Sequence, residues 1–141
     1  NMIKKEAAKK NISIEVEKKF NGLLVGDKDK FYQVVLNLTT NSIKYSNENG
    51  NVKIFTNKSK DKFVLMVKDD GIGIPKEDLP RIFERFYRVD KARSREVGGT
   101  GLGLAITKHI VKNLDGTINV KSELGQGSEF IITIPKKNFL K

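Results

Sequence analysis

The sequence predicts a two-layer α/β domain, with helices packed on one face of a β-sheet. Several short segments alternate apolar and polar residues, which is the period of a half-buried strand. Two longer segments, residues 27–45 and 102–114, instead repeat apolar residues at helical spacing. The length of 141 residues fits one ordinary domain with a real core.

Strand-like alternation recurs along the whole chain. It occurs in residues 12–17, 52–56, 63–67, 118–120 and 130–134. A short apolar run at residues 23–25, ended by a glycine, predicts a further brief strand. A polar loop at residues 58–61 separates two of these segments and predicts an antiparallel pair, and a glycine-rich turn precedes the last one.

Three helices are predicted. The first covers residues 27–45, with its opening aspartate as N-cap. A short second helix covers about residues 76–83, after Pro75 at its first position. The third covers residues 102–114, and Gly116 follows its end, near where a C-terminal glycine is expected.

The composition excludes several classes of protein. The chain has no cysteine, so it has no disulfide framework and no thiolate metal site. No stretch approaches the roughly 18 consecutive apolar residues of a membrane span, and the composition favours a soluble globular domain. The net charge of +10 favours a polyanionic ligand, such as a nucleotide, a nucleic acid or an acidic protein, although a lysine-rich surface that serves solubility gives the same charge.

Glycine is concentrated in two segments, residues 69–74 and 98–104. Because glycine is costly to order, such clusters indicate backbone that bends unusually or approaches a ligand closely. The second cluster runs directly into the third predicted helix, so free backbone N–H groups at the helix start form an anion site. The pattern therefore predicts a phosphate-binding site.

Several better-known motifs are absent from the sequence. The second cluster follows a charged loop and lacks the spacing of the dinucleotide fingerprint, and no P-loop ending in Gly-Lys-Ser/Thr occurs. The His-Arg-Asp loop of protein kinases is also missing. His109 is the only histidine, so it is expected to be a structural or surface residue and not a zinc ligand.

The first predicted helix carries one polar stripe between apolar sides. At about 100° per residue the stripe spans an arc of roughly 80°. Its members are Lys30, Gln33, Asn37, Asn41 and Lys44. Asparagine is a poor helix former, so two of them at i and i+4 indicate a ligand or a hydrogen-bonded network. Asparagines that satisfy nearby backbone groups are the alternative.

Four segments in order resemble the boxes of the ATP-binding catalytic domain of sensor histidine kinases, in the gyrase, Hsp90, histidine kinase and MutL ATPase superfamily. They are the asparagine box NLTTNSIKY (37–45), the first glycine box DDGIGIP (69–75), the phenylalanine box IFERFYRVD (82–90) and the second glycine box GTGLGL (99–104). The turn GQGS (125–128) resembles the closing glycine motif of the family. The similarity spans about residues 11–135.

The resemblance implies a Bergerat-type fold. This is an α/β (α+β) two-layer sandwich, with a mixed, largely antiparallel sheet and about three helices on one face. An ATP lid lies between the two glycine boxes. Residues 90–99 have no apolar period and end in two glycines, which predicts a mobile loop closed by a hinge. Without nucleotide, residues 90–98 are expected to be poorly ordered.

The resemblance also implies roles for individual residues. Asn41 would coordinate Mg²⁺ through its side-chain oxygen, with Asn37 one turn earlier in support. Lys44 would contact a phosphate and Tyr45 would lie against the adenine. Asp69 would accept a hydrogen bond from the exocyclic amine of the base.

The glycine boxes complete the implied ATP site. Gly71 and Gly73, with Ile74 after them, would let the backbone approach the purine. The phosphates would be held by Gly99, Thr100, Gly101, Leu102, Gly103 and Leu104. Phosphoryl transfer depends mostly on positioning and electrostatic stabilisation, and the implied catalytic residues are Asn37, Lys44 and Arg88.

The resemblance implies a donor domain within a larger kinase. Residues 1–10 would be the tail of a linker from an upstream helical domain that dimerises and carries the phosphoacceptor histidine, and residues 11–141 the catalytic domain. That histidine would receive the γ-phosphate and pass it to a response regulator. The acceptor box is not found here, and His109 does not match it. The fragment is expected to be monomeric, to bind no nucleic acid and to lie on the cytoplasmic side of a membrane-anchored sensor.

Three other functions compete with this one. Hydrolytic members of the superfamily carry a glutamate where this chain has Asn37, and an amide cannot take a proton from water, so rapid ATP hydrolysis is disfavoured. A basic nucleic-acid-binding module would interleave basic and stacking aromatic residues on one face, which this sequence does not do. A degenerate domain kept for partner contact is disfavoured by intact Asn41, Asp69 and glycine boxes.

Overall fold

The computed structural model describes residues 8, 11–18, 28–58, 62–85 and 103–135. Its strands are β1 (Ser13–Lys18), β2 (Asn51–Lys58), β3 (Lys62–Asp69), β4 (Thr117–Glu123) and β5 (Gly127–Pro135). Its helices are α1 (Lys28–Lys44), a 3₁₀ helix (Leu79–Arg81) and α2 (Gly103–Asn113). None of the helices in these ranges is both long and apolar enough to span a membrane.

The strands form one mixed sheet in the order β1-β2-β3-β5-β4. Strand β1 pairs in parallel with β2, and the other three pairs are antiparallel. Parallel neighbours need a crossover connection, and α1 lies in the chain between them. The antiparallel pair predicted across residues 58–61 is confirmed, as is the mixed, largely antiparallel sheet.

Alternate residues of the central strands form the core with the helices. The inward-facing residues of β3 and β5 are Phe63, Leu65, Val67, Phe130, Ile132 and Ile134, each with 3% or less of its surface exposed. They belong to one apolar cluster with Val34 and Leu38 of α1 and with Ile110 and Val111 of α2. Residues on the opposite face of the sheet, such as Val64, are only half-buried. The two-layer prediction is therefore confirmed.

The prediction of a second helix at residues 76–83 is wrong. In the described part of the chain, residues 76–83 form turns around a single 3₁₀ helix. The hydrogen bonds there join residues three apart, from Asp78 N to Pro75 O and from Arg81 N to Asp78 O. Pro80 has no N–H and its ring clashes with the carbonyl four residues earlier, so an α-helix cannot continue through it. Two α-helices are described where about three helices were expected.

The end of α2 also differs in detail from the expectation. The residue in the left-handed conformation is Asp115, with a φ of 57°, which aspartate adopts more readily than most residues. Gly116 follows it, and its N–H donates to the carbonyl of Val111 at 2.9 Å. Glycine is needed there because a Cβ would lie 2.7 Å from the carbonyl oxygen of Thr133. The strand predicted at residues 23–25 and the N-cap Asp27 lie outside the described residues.

Leu65→Ala should lower the free energy of unfolding by about 2–5 kcal/mol, because a fully buried leucine leaves a cavity in the core. Val64→Ala is the matched control on the adjacent residue, and its half-buried side chain should cost about 1 kcal/mol or less. Urea denaturation measures both values. Equal losses would contradict the assignment of the two sheet faces.

Candidate functional site

Asp69 is a buried carboxylate at the end of β3, with 4% of its surface exposed. Its Oδ1 accepts hydrogen bonds from the backbone N–H groups of Gly71 at 2.9 Å and Ser128 at 3.3 Å. Burial raises the pKa of Asp69 above its ordinary value, although these N–H groups and the nearby Ser42 hydroxyl oppose the rise. A ligand that donates a hydrogen bond would offset this cost of burial.

The adjacent Asp70 is exposed and has a different role. Its two carboxylate oxygens accept hydrogen bonds from the backbone N–H of Asn51 at 2.9 Å and from the Asn51 side chain at 3.0 Å. These bonds, the backbone one first, lower the pKa of Asp70 below its ordinary value. Since Asn51 begins β2, Asp70 closes the end of the β2–β3 pair. Of the two consecutive aspartates, only Asp69 is buried.

Gly71 and Gly73 both lie against protein backbone. A Cβ on Gly71 would be 2.2 Å from the carbonyl oxygen of Tyr45, just beyond α1. A Cβ on Gly73 would be 2.2 Å from the carbonyl oxygen of Glu123, and its φ of 77° also favours glycine. The structure thus gives both glycines a packing reason, and their approach to a purine stays a prediction.

Hydrogen bonds hold the first glycine box from two sides. The N–H of Ile72 donates to the carbonyl of Tyr45 at 3.1 Å, and its own carbonyl accepts from Gly125 N at 2.9 Å. The N–H of Ile74 donates to Ser122 Oγ at 2.7 Å. The box is therefore fixed between the end of α1 and the turn that joins β4 to β5.

Two serines that complete this arrangement were not predicted from the sequence. Ser122 Oγ donates to the carbonyl of Gly127 at 3.0 Å and lies 2.8 Å from Ser128 Oγ. Ser128 also supplies one of the two N–H groups that bind Asp69. A Cβ on Gly127, whose φ is 107°, would lie 2.0 Å from the Asp69 carbonyl oxygen. The closing GQGS turn was the available signal, but it had been assigned no part in the site.

Asn37 connects α1 to the first turn of α2. Its half-buried side-chain amide donates to the carbonyl of Gly103 at 3.3 Å and to Thr107 Oγ1 at 3.4 Å. Thr107 Oγ1 in turn donates to the same carbonyl at 2.9 Å. Asn37 therefore belongs to a hydrogen-bonded network that includes the backbone carbonyl of Gly103. This network holds the asparagine box against the second glycine box.

Asn41 lies one turn further along α1 and is half-buried. Its side chain makes no hydrogen bond to any residue in the described ranges. No residue in those ranges therefore occupies the amide oxygen of Asn41. Beyond it, Lys44 Nζ lies 5.8 Å from the centroid of the Tyr45 ring. These residues of the asparagine box occupy the half of α1 nearest the first glycine box.

The start of the phenylalanine box is anchored to the core. Ile82 is buried, and the Phe83 ring packs edge-on against Phe130 with centroids 6.4 Å apart. The remaining predicted site residues lie outside the described residues. They are Arg88, Gly99, Thr100, Gly101 and Leu102, together with the predicted mobile loop at 90–98.

The side-chain amide oxygen of Asn41 is a suitable ligand for Mg²⁺. This ion prefers oxygen ligands and is usually bound by one or two protein groups together with waters and substrate phosphates. The free amide oxygen of Asn41 can supply one such ligand. Within the ranges that the structure describes, no three His, Cys, Asp or Glu side chains are grouped as metal ligands.

The fold and the boxes define the class of protein. A family model described as histidine kinase-, DNA gyrase B-, and HSP90-like ATPase matches residues 26–138, and the chain belongs to this family. Its relatives are sensor histidine kinases. Over 113 residues the chain is 49% identical to the sensor histidine kinase WalK of Bacillus subtilis strain 168. The aligned region covers 79% of this chain and 18% of WalK.

Solved structures agree with this assignment. The mycobacterial sensor histidine kinase MprB is similar with a TM-score of 0.79 and 29% identity, over 94% of this chain and 90% of MprB. Full-length ShkA in complex with AMPPNP is similar with a TM-score of 0.79 and 29% identity, over 95% of this chain and 27% of ShkA. The chain is a histidine kinase ATPase domain of the kind found in sensor kinases.

Asp69→Asn should raise the free energy of unfolding near neutral pH in the absence of ligand. Burial raises the folded-state pKa of Asp69, so the stability associated with this group is present below the unfolded pKa of about 3.8 and is lost as pH rises through the folded pKa. The neutral amide has no such loss. The advantage of the variant should therefore disappear in acid, which urea denaturation across a pH series measures.

Asp70→Asn is the matched control and should lower stability near neutral pH. The pKa of Asp70 is depressed, so its contribution is present above the unfolded pKa of about 3.8 and is lost as pH falls through the folded pKa. The amide also loses one of the two hydrogen bonds to Asn51. Changes of the same sign in the two variants would contradict the separate roles of the two aspartates.

Proposed function

We propose that this domain binds Mg-ATP and donates the γ-phosphate to a histidine on a separate helical dimerisation domain of the same kinase. The observation that supports this best is the buried Asp69 carboxylate. Its Oδ1 is held by two backbone N–H groups, while Oδ2 accepts no hydrogen bond from the described residues. An exocyclic amine of adenine is a donor that fits this free oxygen.

The adenine would lie between the end of α1 and the first glycine box. Tyr45 stands next to this box, since its carbonyl accepts the N–H of Ile72. Gly71 and Gly73 have no side chains and pack directly on neighbouring backbone, so the first glycine box takes little space, and Ile74 is buried beside it. These contacts support a narrow, partly apolar pocket for adenine, in which Asp69 would accept a hydrogen bond from the exocyclic amine.

The triphosphate would lie towards the start of α2. This helix begins at Gly103, followed by Leu104, and its N-terminal N–H groups attract anions. Asn41 would hold Mg²⁺, which when bound neutralises phosphate charge, and Lys44 would contact a phosphate. Arg88 would do the same for the transferred group, and the rest of the second glycine box would wrap the phosphates through Gly99, Thr100, Gly101 and Leu102.

Asn37 supports transfer to an acceptor over rapid hydrolysis. An amide cannot serve as a general base for water, and its N–H groups are already directed at Gly103 and Thr107. The alternative function, ATP hydrolysis as in other members of the superfamily, lacks a base at this position. ATP would therefore persist until a histidine reaches the γ-phosphate.

The relatives support the proposed partners. The chain spans 18% of the length of WalK, which is a sensor kinase. Residues 11–141 would be the catalytic domain, joined through residues 1–10 to the dimerisation domain, and a response regulator would receive the phosphate from the histidine. The proposed setting is the cytoplasmic side of a membrane-anchored sensor. AMPPNP bound to the similar ShkA supports the choice of ATP.

Mg-ATP should stabilise the domain in a thermal melt. At a concentration near 100 times the dissociation constant, the gain should be about 2.7 kcal/mol. Asn41→Ala should remove the part of the gain that depends on Mg²⁺, and Asp69→Asn should remove most of the gain although it stabilises the unliganded protein. Asp70→Asn is the control and should keep the full gain. No shift for the unmutated protein would overturn ATP binding.

Phosphoryl transfer should require the acceptor histidine. With radiolabelled ATP, the domain should label a helical dimerisation domain that carries the histidine, and should not label the same domain with that histidine replaced by alanine. Without an acceptor, phosphate release should be at least about 100-fold slower than in a superfamily member with a glutamate base, since a general base contributes this much or more. Fast release by this chain would favour the hydrolytic function.

A further inference from the structure

One row of polar side chains crosses three strands beside the first glycine box. Asp69 on β3 pairs with Ser128 on β5, and Ser128 pairs with Ser122 on β4. Residues that pair directly across antiparallel strands lie on the same face of the sheet. Because side chains two positions apart also share a face, this is the face that carries the buried Val67 and Phe130. The two serines therefore lie in line with the Asp69 carboxylate on the helix side of the sheet.

The hydroxyl of Ser122 is fully engaged in hydrogen bonds. A serine hydroxyl has one hydrogen to donate and two lone pairs that accept. Ser122 donates its hydrogen to the carbonyl of Gly127 at 3.0 Å, and it accepts the N–H of Ile74 at 2.7 Å. Ser128 Oγ lies 2.8 Å from Ser122 Oγ. Since Ser122 has no second hydrogen, Ser128 is the donor in this contact.

Donation to Ser122 decides what Ser128 can offer to a ligand. Its only hydroxyl hydrogen is directed at Ser122, and its backbone N–H is directed at Asp69 Oδ1 at 3.3 Å. Only 8% of the surface of Ser128 is exposed, so contact with bulk water is limited. The ionised carboxylate of Asp69 can only accept hydrogen bonds. Asp69 and Ser128 together thus offer acceptors, and no donor, to the edge of a base.

We propose that Ser122 is a positioning residue that sets the preference for a 6-amino over a 6-oxo purine. By accepting the Ser128 hydrogen, it prevents that hydroxyl from donating to a base that carries a carbonyl in place of the exocyclic amine. The amine donates to the Asp69 carboxylate, whereas a carbonyl facing two acceptors gains no hydrogen bond. This inference rests on the proposed ATP site and adds a residue that selects its base.

The test compares ATP with inosine triphosphate, in which a carbonyl replaces the exocyclic amine, by calorimetric titration of the protein in the presence of Mg²⁺. The unmutated protein should prefer ATP. Ser122→Ala removes the acceptor of the Ser128 hydrogen, which can then turn to the carbonyl of inosine. The ratio of the two affinities should fall by about 2- to 10-fold, the usual worth of one hydrogen bond.

The ratio separates this role from a merely structural one. Ser122→Ala also removes the acceptor of the Ile74 N–H, but a looser glycine box would weaken both nucleotides alike and leave their ratio unchanged. Ser122→Thr keeps the hydroxyl and should keep the ratio of the unmutated protein. Ser128→Ala keeps the backbone N–H that binds Asp69 but has no hydroxyl to release. In this second background, Ser122→Ala should no longer change the ratio.

The outcomes distinguish this inference from the proposed function. If the unmutated protein binds ATP and inosine triphosphate equally, or if Ser122→Ala leaves the ratio unchanged, the role of Ser122 is overturned. It is also overturned if Ser122→Ala lowers the ratio equally with and without the Ser128 hydroxyl. If the unmutated protein binds neither nucleotide, the proposed function itself fails.

Discussion

The burial of the Asp69 carboxylate is the constraint on which the rest of the site depends. A buried charge needs hydrogen-bond donors, and here they come from the backbone of Gly71 and Ser128. The first lies just beyond β3 and the second on β5, its neighbour in the sheet. Because both segments must approach one carboxylate, the chain has to turn tightly on two sides of it.

Close approach of backbone to backbone is how the chain meets this constraint. Gly71, Gly73 and Gly127 each leave no room for a Cβ, and the atom in the way is in every case a carbonyl oxygen. Gly71 and Gly73 of the first box, together with Gly127, are therefore needed for packing before any ligand arrives. For Gly71 and Gly73 the sequence predicts unusual bending or close approach to a ligand, and the contact with neighbouring backbone is an additional reason for glycine.

Stability and ligand binding oppose each other at the candidate ATP site. Among the described residues, Asp69 keeps one carboxylate oxygen without a hydrogen bond, and Asn41 keeps a side chain without a partner. Asn37 and Asp70, in contrast, are engaged in contacts within the protein. A ligand can recognise these two side chains, since their unmet hydrogen-bonding capacity is costly until a partner arrives.

The sequence by itself determined the five described strands, the two α-helices and the family, because period and box motifs are local properties of the chain. The position of Asp69 at a strand end followed from the same alternation. Only the tertiary structure separated Asp69 from Asp70, since burial depends on which residues pack above them. It also brought Ser128 to Asp69 across 59 positions. Such contacts depend on sheet order and helix packing, which no local period encodes.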